Sequence, residues 1–317
     1  MSSHFLLSAK ARTLSLKAIF RMSDDEAHAA FVAIRFSDNG GAAFCPRCEC
    51  TAVYTYAARR IWKCKACCRQ FSVTSGTIFA SRKLAIRDLL AAIAIFVNAV
   101  KGISALQLGR DLDVQYKTAF VLAHKLREAL GSVQNVGTLA GVVEVDGAYF
   151  GGHAKQTNEK ADRRDRRLAT EQTGKRQSVI VARERGGRTL TAVVAKEGQG
   201  VAFVRSVVEM GAVVHADEAA GWDALHGRYE MRRINHSVAF SKDGACTNQA
   251  ESFFSRLRRA EVGQHHHISG KYLGAYAGEM AWREDNRRTA NGGLHQAATL
   301  AALAHPVSRV WAGYWQR

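Results

Sequence analysis

A multidomain α+β chain is predicted by three observations in the 317-residue sequence. Two Cys-x-x-Cys pairs lie close together near the N-terminus, the pattern of a small ribbon. An apolar helical pattern broken by a tight turn follows it. From Gly141 onward, β-branched runs that end in glycines or carboxylates alternate with helical segments, as in a mixed α/β domain. The predicted divisions are an N-terminal helical segment at 1–40, the ribbon at 41–82, a helical domain at 83–131, the mixed α/β domain at 141–290 and a helical tail at 291–317.

Composition narrows the function. The 45 Lys and Arg against 28 Asp and Glu give a formal charge of +17, which favours a polyanionic partner, nucleic acid before membrane surface. The longest apolar run, Leu89 to Val97, is far shorter than the roughly 20 residues that cross a bilayer. No membrane partner is expected. The first 22 residues lack the continuous apolar centre of a secretory signal, so a cytoplasmic protein is expected. Six of the seven cysteines fall between Cys45 and Cys68, and in that compartment such a cluster points to metal rather than disulfides.

Ser23-Asp24-Asp25-Glu26 is a helix start with acidic residues in the first turn, and it predicts one short helix before the turn Asp38-Asn39-Gly40-Gly41. Cys45-Pro-Arg-Cys48 and Cys64-Lys-Ala-Cys67 are separated by fifteen residues. Four thiolates at this spacing can surround one Zn²⁺ tetrahedrally, with Val53 to Trp62 as the intervening hairpin. Cys50 and Cys68 are surplus and could exchange with the four. A site closed by four thiolates holds a fold and does not catalyse.

Ile86 to Val100 reads as a buried helix. Ser104 to Asp111, Leu112-Asp113-Val114 and Gln115 to Arg127 then read as helix, tight turn, helix, with Leu106, Leu108, Leu112, Val114, Ala119 and Leu122 as the buried seam. That leaves Gln115, Tyr116, Lys117 and Lys125 facing DNA in a helix-turn-helix; a plain helical hairpin is the alternative. Lys155 to Arg176, centred on Arg163-Arg164-Asp165-Arg166-Arg167, is either a solvated segment or a phosphate-contacting arm.

In the third domain Val142, Val143 and Val145 carry Asp146 to the end of a strand, with Glu144 on the same face. Gln177 to Arg183 and Arg188 to Ala195 form a hairpin through Glu184-Arg185-Gly186-Gly187, which makes a three-stranded meander with the first strand. Val201 to Met210 is helical, and Gly211 to Glu218 is a buried strand that ends in Asp217, in the parallel sense. Tyr229 to Asn235 is one more strand. Thr247 or Asn248 caps a long helix whose first turns hold Glu251 and whose one broad face holds Asn248, Glu251 and Arg258. A lone aspartate like Asp146 is most simply a turn residue. With Asp217 at a second strand end and Glu251 on a later helix, the three acids fit the metal cluster of a ribonuclease-H-like fold.

The order of these motifs resembles the bacterial insertion-sequence transposases of the ISXO type. The resemblance rests on the cysteine pairs with Arg69-Gln-Phe-Ser-Val-Thr-Ser-Gly-Thr77, Lys101-Gly-Ile-Ser, Glu144-Val-Asp-Gly-Ala-Tyr-Phe-Gly-Gly152, His215-Ala-Asp-Glu218, Thr247-Asn-Gln-Ala-Glu-Ser-Phe253 and His266-His-Ile-Ser269. It covers roughly residues 23–290. It implies a cut-and-paste DNA transposase whose Asp-Asp-Glu triad binds Mg²⁺ or Mn²⁺. By position the triad is Asp146, Asp217 and Glu251. Related members place Asn or another residue at the third position, which keeps Asn248 in view. Arg258 stands where the family usually has Lys, and Glu144 is a supporting candidate. Hard carboxylate ligands suit Mg²⁺, and two ions about 3.5–4 Å apart can serve an in-line displacement at phosphorus. The implied partners are double-stranded DNA, as terminal inverted repeats and target, and further copies of the chain on that DNA; the implied setting is the bacterial nucleoid. Two other readings use the same motifs: a DNA-binding regulator or domesticated transposase without catalysis, and a metal nuclease that cuts without joining. His265-His266-His267 is read as a structural or DNA-contact segment, because adjacent histidines point different ways.

Overall fold

A computed structural model describes residues 5–134, 136–152, 157–163, 174–235, 241 and 244–316. The chain forms two compact units, Met1–Val133 with Asn286–Arg317, and Gln134–Asp285. The centre of the basic segment, Arg164 to Arg167, lies outside the described residues.

In the first unit, α2 (Asp24–Arg35) is the helix expected after Ser23, and a further helix, α1 (Leu16–Arg21), precedes it. Ser23 and Glu26 form a reciprocal capping box at the start of α2, which satisfies two otherwise unpaired amides. The ribbon is an antiparallel sheet of β1 (Val53–Tyr56), β2 (Ile61–Cys64) and β3 (Gln70–Ser72). Trp62 on β2 is buried between a stacked Phe71 at 5.7 Å and an edge-on Phe36 at 5.9 Å. Arg35 at the end of α2 donates to the carbonyls of Val73 and Ser75, tying that helix to the ribbon.

The buried helix α3 (Ile86–Asn98) packs against the C-terminal helix Asn291–Ala304, where His295 Nε2 lies 3.0 Å from the Leu90 carbonyl. The expected tail is therefore part of this unit. Next come α4 (Ala105–Asp111) and α5 (Tyr116–Gln134) around a turn in which Asp113 is left-handed, at φ 51°. Gly109 permits this close turn: a Cβ there would lie 3.1 Å from the Val114 carbonyl oxygen. Leu108, Ala119 and Leu122 are buried as expected, but Leu106 is 52% exposed, because residues two apart on a helix point to opposite sides and Leu108 takes the inner one.

In the second unit, β4 (Val142–Gly151), β5 (Arg176–Glu184) and β6 (Thr189–Val194) form the antiparallel meander. Then α6 (Gly200–Val207) returns the chain to β7 (Val213–Asp217), which is parallel to β4, and β8 (Glu230–Ile234) is parallel to β7. The sheet order is β6-β5-β4-β7-β8. Strand alternation divides the core into two layers. Val143, Val145, Ile180, Ala182, Val214 and Ala216 face α6 together with Trp222 and Leu225. Ala148, Phe150, Val179 and Val181 face α7 (Asn248–Ala260) and α8 (Leu273–Asp285). The stripe Ala250, Phe253, Phe254, Leu257 and Ala260 follows helical spacing, and each buried Phe contributes about 1.5–3 kcal/mol.

Candidate active site

Asp146 and Asp217 are brought together by strand register. The parallel pairing of β4 with β7 ends at Val145 opposite Ala216. The next residue of each strand is an aspartate, and adjacent strands are about 4.8 Å apart. Asp146 is not at the end of its strand, as expected from the sequence. β4 continues five residues to Gly151, paired with β5. What ends at Asp146 is its pairing with β7, and that opens the crevice in which both carboxylates sit. The Asp146 Oδ1 accepts from the Gly147 amide at 2.7 Å, and the Asp217 Oδ1 from the Ala219 amide at 3.1 Å.

Glu251 lies in the first turn of α7, and a buried carboxylate sets that helix in place. Thr247 occupies the N-cap position, as expected, but makes no side-chain cap bond, and Asn248 is the first residue of the helix. Glu144, 1% exposed, accepts from the Gln249 amide at 2.7 Å and the Ala250 amide at 3.2 Å. A carboxylate at the N-terminus of a helix satisfies unpaired amides and complements the helix dipole. Arg185 Nε donates to the other Glu144 oxygen at 2.8 Å, while its Nη2 lies 2.7 Å from Cys246 Sγ and 3.0 Å from His215 Nδ1. Burial, then the neighbouring Arg185, push the His215 pKa down. Arg258 is exposed near the far end of α7, two turns beyond Glu251.

Sequence reasoning missed Glu197. It lies in the turn Glu197–Gln199 ahead of α6, and its carboxylate falls within 4.8 Å of those of Asp146 and Asp217. Glu251 stands outside that group of three, yet its charge acts on Asp146. The Asp146 pKa is raised to about 7, chiefly by burial and further by the charges of Asp217, Glu197 and Glu251, against the opposing Gly147 amide. Glu197 is likewise pushed up by burial and by Asp217. Carboxylates held this close are mutually destabilising when all are ionised, and a hard divalent cation with oxygen ligands relieves that. The donor chemistry therefore fits Mg²⁺ or Mn²⁺.

A second group of possible ligands is Cys45, Cys48, Cys64 and Cys67, with all four sulfurs within 4.8 Å of one another. In each pair the residue after the second cysteine is left-handed, Glu49 at φ 59° and Cys68 at φ 57°. That conformation turns the chain back and leaves Cys68 exposed, and Cys50 Sγ is engaged with the Ala52 carbonyl. The Cys67 amide, donating to Cys64 Sγ, brings the Cys64 pKa down to about 6 and so favours the thiolate that a metal requires. Among the described residues these are the two metal-competent groups, and neither contains a histidine of His265–His267.

Of the residues expected to face DNA, Gln115, Tyr116 and Lys117 are exposed at the front of α5. Lys117 Nζ lies 5.2 Å over the Trp315 ring. Lys125 is half-buried and its pKa is lowered by burial, because the middle of α5 is enclosed by the core of its unit. Arg283 pairs with buried Glu279 at 2.8 Å. No helix among the described residues is long and apolar enough to cross a membrane.

Residues 22–70 match the transposase zinc-ribbon domain family, and residues 138–285 match the ISXO2-like transposase domain family. An uncharacterized protein in transposable element ISH50 of Halobacterium salinarum is 29% identical over 134 residues, which are 41% of this chain and 44% of that protein. The chain thus matches less than half the length of that relative. The crystal structure of the Mos1 strand transfer complex aligns over 67% of this chain and 78% of that one at 12% identity, with a TM-score of 0.24. Residues 22–70 of this chain are a transposase zinc ribbon, and residues 138–285 are an ISXO2-like transposase domain.

Proposed function

We propose that this chain is a DNA transposase that binds the terminal inverted repeats of an insertion sequence and cuts and joins DNA at Asp146, Asp217 and Glu251. The observation that carries this reading is the placement of Asp146 and Asp217 as the next residues after the last parallel pair of β4 and β7, inside the matched transposase domain. The strand order, three antiparallel strands followed by a helix and parallel strands, is that of a ribonuclease-H-like fold. Bound Mg²⁺ or Mn²⁺ would supply charge neutralisation at the scissile phosphate and activation of the attacking oxygen. Asp146 and Asp217 hold the reacting phosphate's side of the crevice in fixed register, and Glu251 adds a third carboxylate from α7. Glu144 acts on the site by anchoring the first turn of α7. Arg258, on the same side of α7 as Glu251, contacts the DNA backbone, and Asn248 lies in the first turn beside it.

Upstream, Cys45, Cys48, Cys64 and Cys67 hold one structural Zn²⁺. α4 and α5 act as a helix-turn-helix, with Gln115, Tyr116 and Lys117 leading into the major groove. Synapsis of two DNA ends requires more than one copy of the chain on DNA. The test is strand cleavage and joining with pre-cut ends and a target duplex. Asp146→Asn, Asp217→Asn and Glu251→Gln should each abolish both reactions while leaving end binding intact. Full metal-dependent cleavage by any of the three removes that residue from the site. Cut products without joined ones indicate a nuclease, and a mobility shift with neither indicates a DNA-binding regulator.

A further inference from the structure

We infer that Glu197 is a further carboxylate ligand of the metal site, and that Gly147 exists in its present form to admit it. The inference rests on the reading of Asp146 and Asp217 as metal ligands. Glu197 shares with them a region only 4.8 Å across. It arrives from the α6 side of the sheet, whereas Glu251 arrives from the α7 side, so the crevice receives a carboxylate from each layer.

The approach of Glu197 depends on the residue directly after Asp146. A Cβ built on Gly147 would lie 2.7 Å from Cγ, Cδ and Oε1 of Glu197, so any side chain at 147 would push that carboxylate aside. Gly147 has no left-handed φ that would otherwise require glycine. What glycine provides there is space, and the Glu197 carboxylate fills it.

The turn that carries Glu197 is held from several sides. Gln199 Oε1 accepts from the amides of Ala195 and Lys196, each at 3.1 Å. The Glu197 amide donates to the Tyr149 hydroxyl of β4 at 3.3 Å. A Cβ on Gly200 would lie 2.8 Å from Ile180 and 3.1 Å from Trp222, so the start of α6 is pressed onto the sheet. Among the described residues Glu197 has no Lys or Arg partner in an ion pair. A carboxylate packed beside two others without a cationic side chain has a divalent cation as its natural counter-charge.

The test is Mn²⁺ titration of the zinc-loaded full-length chain, followed by electron paramagnetic resonance, with Glu197→Gln, Gly147→Ala, Asp146→Asn and Glu218→Gln compared under one condition. Glu197→Gln should weaken Mn²⁺ binding by at least the roughly tenfold that loss of even an outer partner costs at a metal site. Gly147→Ala removes no charge and should produce a loss of similar size by displacing Glu197. Glu218→Gln, at an exposed neighbour of Asp217, should leave binding unchanged. A drop in Mn²⁺ affinity without a loss of thermal stability identifies a ligand rather than a packing residue. If Glu197→Gln and Gly147→Ala bind Mn²⁺ like the wild type while Asp146→Asn does not, Glu197 is no ligand and the proposed site stands without it. If Asp146→Asn binds as tightly as the wild type, the site itself is misassigned.

Discussion

Glu144→Gln removes a charge from the interior while keeping the shape of the side chain. The carboxylate accepts from two amides of the first turn of α7 and from Arg185, and it is 1% exposed. Hydrogen bonds to a charged group contribute about 1.5–3 kcal/mol, and breaking a buried pair costs about 3–5 kcal/mol because the partner is left unpaired. Arg185 is only partly enclosed, at 31% exposure, and it keeps Cys246 and the Cys246 carbonyl as partners, so the lower part of that range applies. The expected loss is about 2–4 kcal/mol. For a domain of this size that is a fall of roughly 4–16 °C in the transition of the Gln134–Asp285 unit, measured by scanning calorimetry. Because α7 carries Glu251, metal-dependent cleavage should fall even at temperatures where the variant is folded. A transition within one or two degrees of the wild type, together with full cleavage, would refute the anchoring role.

Three further outcomes are expected. Asp146→Asn should stabilise the protein when Mg²⁺ is absent at pH 8: burial raises the Asp146 pKa from 3.8 to about 7, so the ionised group costs stability above pH 7, the cost shrinks as pH falls between the two values, and it vanishes below the lower one. The gain in urea unfolding should be a few kcal/mol at most, about 1.4 for each pH unit of displacement, and it should disappear near pH 4. Cys64→Ser should lose zinc and release Trp62 fluorescence from its aromatic setting, whereas Cys68→Ser should retain one zinc per chain by elemental analysis. Lys117→Ala should weaken end binding and flatten the slope of log affinity against log salt by about 1 in gel-shift titrations; an unchanged slope would place that lysine off the phosphates.

Several features were legible in the sequence because they are local. The two cysteine pairs specify their own knuckles, and the acidic first turn after Ser23 specifies the start of α2. The meander and the parallel strand after α6 follow from β-branched runs with turn residues between them. The same alternation put Glu144 and Asp146 on one face, but it could not say that Glu144 caps a helix more than a hundred residues away. The C-terminal helix read as a separate tail because nothing in its own composition names α3 as its partner. Exposure at Leu106 and Lys125 likewise depended on neighbours from elsewhere in the chain.

Glu197 marks the boundary most clearly. Within Lys196-Glu197-Gly198-Gln199-Gly200 it resembles any solvated glutamate, and its one sequence signal is indirect: a glycine directly after the aspartate of the strand, and glycines around the glutamate itself. By itself the sequence determined the cysteine knuckles, most helices and strands, the meander and the parallel return of the strand that carries Asp217, because periodicity, spacing and turn chemistry act between near neighbours. Only the tertiary structure decided which carboxylates share the crevice and what holds α7 above it. Those depend on where the pairing of β4 with β7 stops, and on a missing Cβ at Gly147 that lets a distant turn close onto the sheet.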